Sequence, residues 1–390
     1  MNKRIITCLC LALVSFFSLS SCSNKTSCVI DDRKEVVTIN YSSDKTYSSL
    51  ADMIEEIKPS VVDIYSYGSS FVSAGSGVIV GKGESSYYVI TNHHVIDNAL
   101  SFDVVVYFND DSNITYEASL IGGSPKNDIA VLQINSDKEL KVASVVEDSS
   151  LVRVGEEVIA IGNPLGILGG SVTHGIISAK EREVYVDSTG YMSLFQTDAA
   201  INSGNSGGAL FNSNGLLIGI VNSGYSNYEG LNFAIPWNKA RDCFTSIVNT
   251  YHESGNNLGY MKGESNIGIN LSSATIYSSS ALTSQSDVIY VNSIDEDSDS
   301  SNKGIKDLAS FSEGKYTTFY ALTKINDQEV KSLEEAQRTL DKLEAGEKVK
   351  LTFKEISYAR TGGFFGQNIY YLTDNTVNIE IELSQYIYSL

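Results

Sequence analysis

Ser206 stands in the run Gly204-Asn205-Ser206-Gly207-Gly208, with the apolar pair Ala209-Leu210 behind it. Glycine removes the Cβ that would obstruct an incoming carbonyl and lets successive N–H groups turn into one cavity. A serine so placed is a candidate nucleophile. It then needs a base, an acid that orients the base, and donors for a developing oxyanion. The backbone around Gly204, Asn205 and Ser206 is the candidate donor set, with the amides of Gly204 and Ser206 foremost. Taken alone, the run also reads as an inert Gly-Ser turn.

The base must come from four histidines, His93, His94, His174 and His252. The segment Thr91-Asn92-His93-His94-Val95 follows an apolar strand pattern, and strand ends are where a β-scaffold presents functional groups. A single histidine there also reads as a surface or core residue with satisfied hydrogen bonds. For the acid, Lys126-Asn127-Asp128 opens the apolar run Ile129-Ala130-Val131-Leu132. A carboxylate half-buried there requires donors. An imidazole N–H would satisfy it, and the carboxylate would fix the tautomer and stabilise the imidazolium. The alternative is a strand-capping aspartate. Together the three give the order His, Asp, Ser, which is the order of this triad on double β-barrels.

The elements that must position these residues agree. Leu50, Met53, Ile54 and Ile57 predict a short amphipathic helix stopped by Pro59. From Val61 to about Val248 the chain reads as many short strands separated by Gly, Asn, Asp and Ser, with almost no helix, which indicates sandwich or barrel architecture. Residues 252–265 are poor in apolar side chains and read as a linker between a body at 49–251 and a second domain at 266–385. There Ser332-Leu333-Glu334-Glu335 is a capping-box signal for a helix that ends at Gly346. Alternation at Val349, Leu351 and Phe353, and at Val377, Ile379, Ile381 and Leu383, predicts a closing hairpin with 357–375 as an insertion. The acidic run Asp295–Ser301 lacks the glycine and terminal glutamate of a calcium loop and reads as solvated.

Composition narrows the function classes. The 390 residues are 42% hydrophobic and 19% charged, with a formal net charge of −19. This is a folded chain, and its charge disfavours broad binding to nucleic acid. Asn2-Lys3-Arg4 followed by the apolar stretch Ile5–Leu19 reads as a secretory signal, too short for a comfortable membrane span. Its end, Leu19-Ser20-Ser21-Cys22, resembles a bacterial lipobox. That resemblance implies cleavage after residue 21, a lipid on Cys22, a polar tether over 22–48 and a location in the bacterial cell envelope, outside the cytoplasm. An ordinary signal peptide with a free Cys22 is the alternative. Cys28 and Cys243 do not form a disulfide framework. No Cys-x-x-Cys pair or histidine cluster suggests a metal, and the triad chemistry needs no cofactor.

TNHHVI at 91–96, NDIAVLQI at 127–134, IGNPLG at 161–166, SVTHGIISAKER at 171–182, QTDAAINSGNSGGAL at 196–210 and NFAIPWN at 232–238 resemble the HtrA (Deg) family of trypsin-like serine proteases over roughly residues 50–250. The resemblance implies a mostly β fold, a double six-stranded β-barrel of the chymotrypsin type. In that family the base immediately precedes the valine, which assigns His94 rather than His93. Asp128 then matches the orienting acid and Ser206 the nucleophile. Ile201, Asn202, Asn222, Ser223 and Gly224 border the substrate pocket by the same resemblance. None is acidic, so a small or medium aliphatic side chain is expected before the scissile bond. The downstream part is similar to a divergent α+β PDZ domain, with Ile267-Gly268-Ile269 as its carboxylate-binding loop. The family implies unfolded or damaged exported proteins as substrates and a homotrimer. A chaperone-like or peptide-sensing protein with a latent triad is the alternative.

Overall fold

The computed structural model describes residues 25–29, 37–42, 45–110, 112–166, 168–186, 190–224, 230–255, 257–277, 285–294, 298–305, 319–340, 342–360 and 368–385. The expected signal segment and Cys22 lie outside these residues.

Strands β1 (Lys25–Val29) and β2 (Val37–Tyr41) pair with one another ahead of the helix α1 (Leu50–Ile57). The segment expected to be a polar tether is therefore only partly one. Val37 and Ile39 are fully buried, and β2 pairs with strands of the body. Ser49 caps α1 by accepting the Asp52 amide at 3.1 Å, and Met53 and Ile57 form its buried side. Pro59 ends it in a short 3-10 turn.

Six strands then close the first barrel: β3 (Val61–Tyr67), β4 (Val72–Lys82), β5 (Ser86–Thr91), β6 (Ser101–Tyr107), β7 (Asn113–Ser124) and β8 (Ile129–Asn135), ordered β4-β3-β6-β7-β8-β5 and shut by β4–β5 pairing. Its inside is set by alternation. Along β6, Phe102, Val104 and Val106 are buried while their neighbours are not. A two-residue strand, β9 (Ser144–Val145), leads on. The second barrel takes β10 (Glu157–Gly162), β11 (Ser171–Val186), β12 (Gly190–Thr197), β13 (Ala209–Asn212), β14 (Leu217–Gly224) and β15 (Asn232–Pro236), again six strands, shut by β13–β14. Closure leaves no bare sheet edge within either barrel.

A shared core joins the barrels. Val78, Tyr88 and Ile90 of the first pack with Ile159, Phe211 and Ile235 of the second. Helix α3 (Trp237–Glu253) straps this seam with Trp237, Ala240, Phe244, Ile247 and Val248. Those positions have a helical period, yet the stretch was expected to continue as strands. Its Thr-, Ile- and Val-rich end suits either state by composition, and tertiary packing selects the helix. Each large side chain buried there contributes about 1.5–3 kcal/mol.

The expected linker is not free. Gly259–Tyr260 forms β16, which pairs in parallel with Gly122–Gly123 at the end of β7. Ser265–Asn266 (β17) pairs with Ser384–Gln385 near the C-terminus. Between them lies the C-terminal sheet. It comprises β18 (Ile269–Tyr277), β19 (Gln285–Ile294), β20 (Phe319–Ile325), β21 (Gln328–Glu329), β22 (Lys348–Arg360) and β23 (Asn368–Glu382). β24 is the Ser384–Gln385 strand. Two helices, α4 (Asp299–Asn302) and α5 (Leu333–Leu340), accompany it. Ser332 caps α5 by accepting the Glu335 amide at 3.1 Å. The Glu335 carboxylate reaches back to the amide of Lys331 at 2.9 Å, one residue earlier than a strict capping box. Much of the expected 357–375 insertion is hairpin, because β22 and β23 stay paired from Ile356↔Leu372 to Arg360↔Asn368. Of the acidic run, 295–297 lie outside the described residues and Ser298 caps α4.

One buried charge sits beneath the loop that follows the Asn163-Pro164 turn. Asp63 on β3 accepts the Tyr107 hydroxyl at 2.6 Å and is 2% exposed. Gly169 lies so close that a Cβ there would meet both the carboxylate and the phenol oxygen at 2.5 Å. Burial raises the Asp63 carboxyl to about 6, against the lowering effect of the tyrosine bond. A folded value above the unfolded one means that the folded state holds this proton more tightly. The stability it contributes is complete below about pH 4 and is lost as pH rises through about 6. Asp63→Asn should therefore stabilise the chain at pH 8 by on the order of 1–3 kcal/mol, with the gain vanishing near pH 4. Urea melts at the two pH values check this, and a pH-independent difference would refute it.

Candidate active site

Three local devices bring the site together. β5 ends at Thr91, and the chain turns into the single-turn helix α2 (His93–Ile96), whose Val95 and Ile96 are buried. That seating leaves His94 at the seam, with its side chain 33% exposed. Asp128 follows the 3-10 turn Pro125–Asn127 in a left-handed conformation, φ 50°. This backbone state is unfavourable for aspartate and is held by surrounding bonds. Its amide donates to the Pro125 carbonyl at 3.0 Å, and its carbonyl accepts the buried Asn92 side chain at 3.0 Å.

The carboxylate is 1% exposed and accepts three donors. The His94 amide reaches Oδ1 at 2.9 Å, His94 Nδ1 reaches Oδ2 at 2.7 Å, and Asn222 Nδ2 reaches Oδ2 at 2.6 Å. With Nδ1 donating, Nε2 is the basic atom of the ring. Burial pulls the His94 pKa down, but the hydrogen bond and the charge of Asp128 outweigh it and leave the value raised. In His93, desolvation prevails and lowers the value. Neighbouring histidines are thus driven in opposite directions, and only His94 is paired with the buried acid.

The loop that carries Ser206, the expected nucleophile, is a tight turn. Asn205 N donates to Asn202 O at 3.0 Å with Gly204 at φ 97°. A positive φ at the third position makes this a type II turn. The amide of Asn205 is spent inside the turn, which removes it from the expected oxyanion donors. Among the described residues, the amides of Gly204 and Ser206 have no acceptor. Gly207, at φ 83°, lies against the first barrel so closely that a Cβ would meet Ser76 O and Thr91 Oγ1 at 2.2 Å. Ser206 Oγ donates to the Asn222 carbonyl at 2.9 Å rather than to His94. The structure therefore joins His94 to Asp128 and both Asp128 and Ser206 to Asn222, while the expected nucleophile and base are unbonded. Such bonds commonly form only with substrate.

One contributor was missed in the sequence, and a second was named there for a different place in the site. Ser76, on β4, donates from its amide to Ser206 O at 2.8 Å and from its hydroxyl to Gly204 O at 2.7 Å, and the hydroxyl accepts Asn163 N at 2.8 Å. It clamps the second barrel's loop onto the first. Its trace in the sequence was a serine just ahead of the apolar run Gly77-Val78-Ile79-Val80. Asn222 was expected to border the pocket, yet its amide is spent on Asp128. Ile201 is half-buried against the second barrel's core, and Asn202 is exposed. Ser223 and Gly224 end β14 opposite Phe233 and Asn232.

Two closed barrels with a histidine–aspartate pair and a serine turn at their seam define a trypsin-like peptidase domain. Residues 75–220 match the family described as trypsin-like peptidase domain. The domain is homologous to HtrA- and DegP-type serine proteases. It is 40% identical over 243 residues to the serine protease Do-like HtrB of Bacillus subtilis, covering 56% of this chain and 52% of that protein. It is 41% identical over 199 residues to the periplasmic serine endoprotease DegP of Escherichia coli, covering 50% and 40%. The chain thus spans about half or less of these relatives' own length. The solved HtrA-type protease AlgW with a tripeptide superposes with a TM-score of 0.51 at 27% identity, over 87% of this chain and 98% of that one. The serine endoprotease from Yersinia pestis gives 0.52 at 25%, over 88% and 100%.

The bonds at Asp128 set two expectations. Activity should rise with pH through a midpoint above the ordinary histidine value of ~6.5, because the base must be neutral and its pKa is raised. A kcat/KM profile flat from pH 5 to 8 would count against His94. Asn222→Ala should lower kcat roughly 10-fold with little change in KM, because a charge-assisted bond that orients the acid is lost. An effect confined to KM would assign Asn222 to substrate binding instead.

Proposed function

We propose that this chain is a serine endopeptidase of the HtrA type, acting on unfolded or damaged exported proteins. One observation carries the reading: the pair of His94 with the buried Asp128 lies beside a serine turn with two amides unclaimed among the described residues. In the reaction, the Ser206 hydroxyl leaves the Asn222 carbonyl and gives its proton to His94 Nε2 as Oγ attacks a peptide carbonyl. The Gly204 and Ser206 amides receive the oxyanion, and each is worth about 3 kcal/mol in the transition state. His94 then protonates the leaving amine, and water, activated by the same ring, releases the acyl group. Ile201, Asn202, Ser223 and Gly224 border the pocket for a small or medium aliphatic side chain.

The C-terminal domain is proposed to bind peptide ends by strand addition beside Ile267-Gly268-Ile269. β18 pairs along its length with β19, and on its other side with β23 at Tyr277↔Tyr371. That leaves an edge for a ligand strand among the described residues. The wider reading is a lipid on Cys22, an extracytoplasmic site at a bacterial membrane and a homotrimer. The DegP relative is named a periplasmic enzyme, which supports the compartment.

A second reading has support from Ser206, whose bond to Asn222 suits a resting arrangement. It makes the chain a chaperone-like or peptide-sensing binder with a latent triad. A fluorophosphonate probe separates the two. Labelling is expected at Ser206 and absent in Ser206→Ala, whose turnover should drop by at least about 10³. No labelling under any activating peptide would favour the binder. A cleavage profile dominated by basic residues would overturn the pocket assignment.

A further inference from the structure

The turn that carries Asp128 also faces the C-terminal domain. A cavity of about 280 Å³ lies between them. Ile267, Ile269 and Leu271 of the loop and β18 form one wall, with Leu340 of α5 and Leu383 opposite. Pro125 and Lys126 of the protease body close one end. The groove beside β18 is therefore composite, with its apolar walls in one domain and its end in the other.

Only two lining residues bear a formal charge, Lys126 and Glu264. Glu264 is 6% exposed and committed to the protease body: Oε2 accepts the Ser124 hydroxyl at 2.6 Å and Oε1 the Lys126 amide at 3.0 Å. Among the described residues, the Lys126 ammonium makes no hydrogen bond or ion pair. The amide of Gly268, at the centre of the expected carboxylate-binding loop, is already given to Asn266 Oδ1 at 2.7 Å. The loop thus has one donor fewer for an anion, and a cation with no hydrogen-bond or ion-pair partner among the described residues, although its charge acts on the buried Glu264, stands at the same cavity.

The geometry points to Lys126 as a ligand-binding residue of this groove: it pairs with the terminal carboxylate of a peptide whose apolar last side chain enters between β18 and α5. This rests on the proposed peptide binding by the C-terminal domain and adds a contribution from the protease body. A peptide end so held touches the residue two positions before Asp128. Occupancy of the groove then bears on the turn that keeps Asp128 in its left-handed conformation.

The test uses the full chain carrying Ser206→Ala, so that peptides are not cut. Fluorescein-labelled nonapeptides ending in Val, Leu or Phe are made as free acids and as C-terminal amides, and binding is read by polarisation. The free acid should bind about ten-fold more tightly than its amide, as one charge-assisted contact allows. Lys126→Met keeps the aliphatic stem and should bring the ratio to about one, Lys126→Glu should invert it, and Lys126→Arg should retain it. Unchanged melting of Lys126→Met shows that its fold is intact. A ratio that persists in Lys126→Met would overturn the role of Lys126 and leave peptide binding standing. So would equal affinity of acid and amide for the Lys126 chain. Failure of every peptide to bind would remove the groove reading and this inference together.

Discussion

The buried carboxylate of Asp128 is the interaction on which the rest of the site depends. It has three donors at 2.6–2.9 Å, two from the first barrel and one from the second. An ionised group with almost no solvent contact is tolerable only when its oxygens are satisfied. The same bonds that make the charge tolerable fix the imidazole, keep Nε2 basic and tie β14 to the first barrel. Ser76 performs the reciprocal task, holding the serine turn against β4. The two barrels are thus joined by an apolar seam and, at its mouth, by polar bonds that also define the chemistry.

The His94–Asp128 pair and the serine turn could be picked out in the sequence because His94 and Asp128 flank strongly apolar strands, where polar types stand out, because Ser206 is crowded by glycines, and because the order His, Asp, Ser is characteristic on a double barrel. The barrels were legible from short runs with turn residues between them. What the sequence hid has physical reasons. Ser76 is small and polar within a strand, and nothing along the chain reveals that its neighbour in space is the loop at Gly204. Asn222 was placed near the pocket by its position, but which way its amide points depends on a carboxylate 94 residues away. The α3 strap was missed because its β-branched end suits a strand, and its helical period was outweighed by the strand-rich context. The polar-looking segments at 37–41 and 259–260 gain their structure by pairing with strands far along the chain, which local composition does not record.

The C-terminal domain followed local rules more closely. Its closing hairpin alternates as expected, with Val349, Leu351 and Phe353 buried opposite Ile381, Ile379 and Val377. Ser332 caps its helix. The expected insertion was overestimated because Tyr- and Gly-rich sequence reads as loop, whereas aromatic residues also extend a two-stranded ribbon.

The pairing of Gly259–Tyr260 with the end of β7 has a bearing on how such chains can be rearranged. A splice point chosen at the composition change near residue 252 would strip a strand from the upstream body and expose hydrogen-bonding groups that another molecule could capture. Any recombinant, natural or made in the laboratory, that swaps the downstream module keeps its upstream half whole only if the junction falls beyond Tyr260. The effective frontier between the two units is thus several residues later than amino-acid usage suggests.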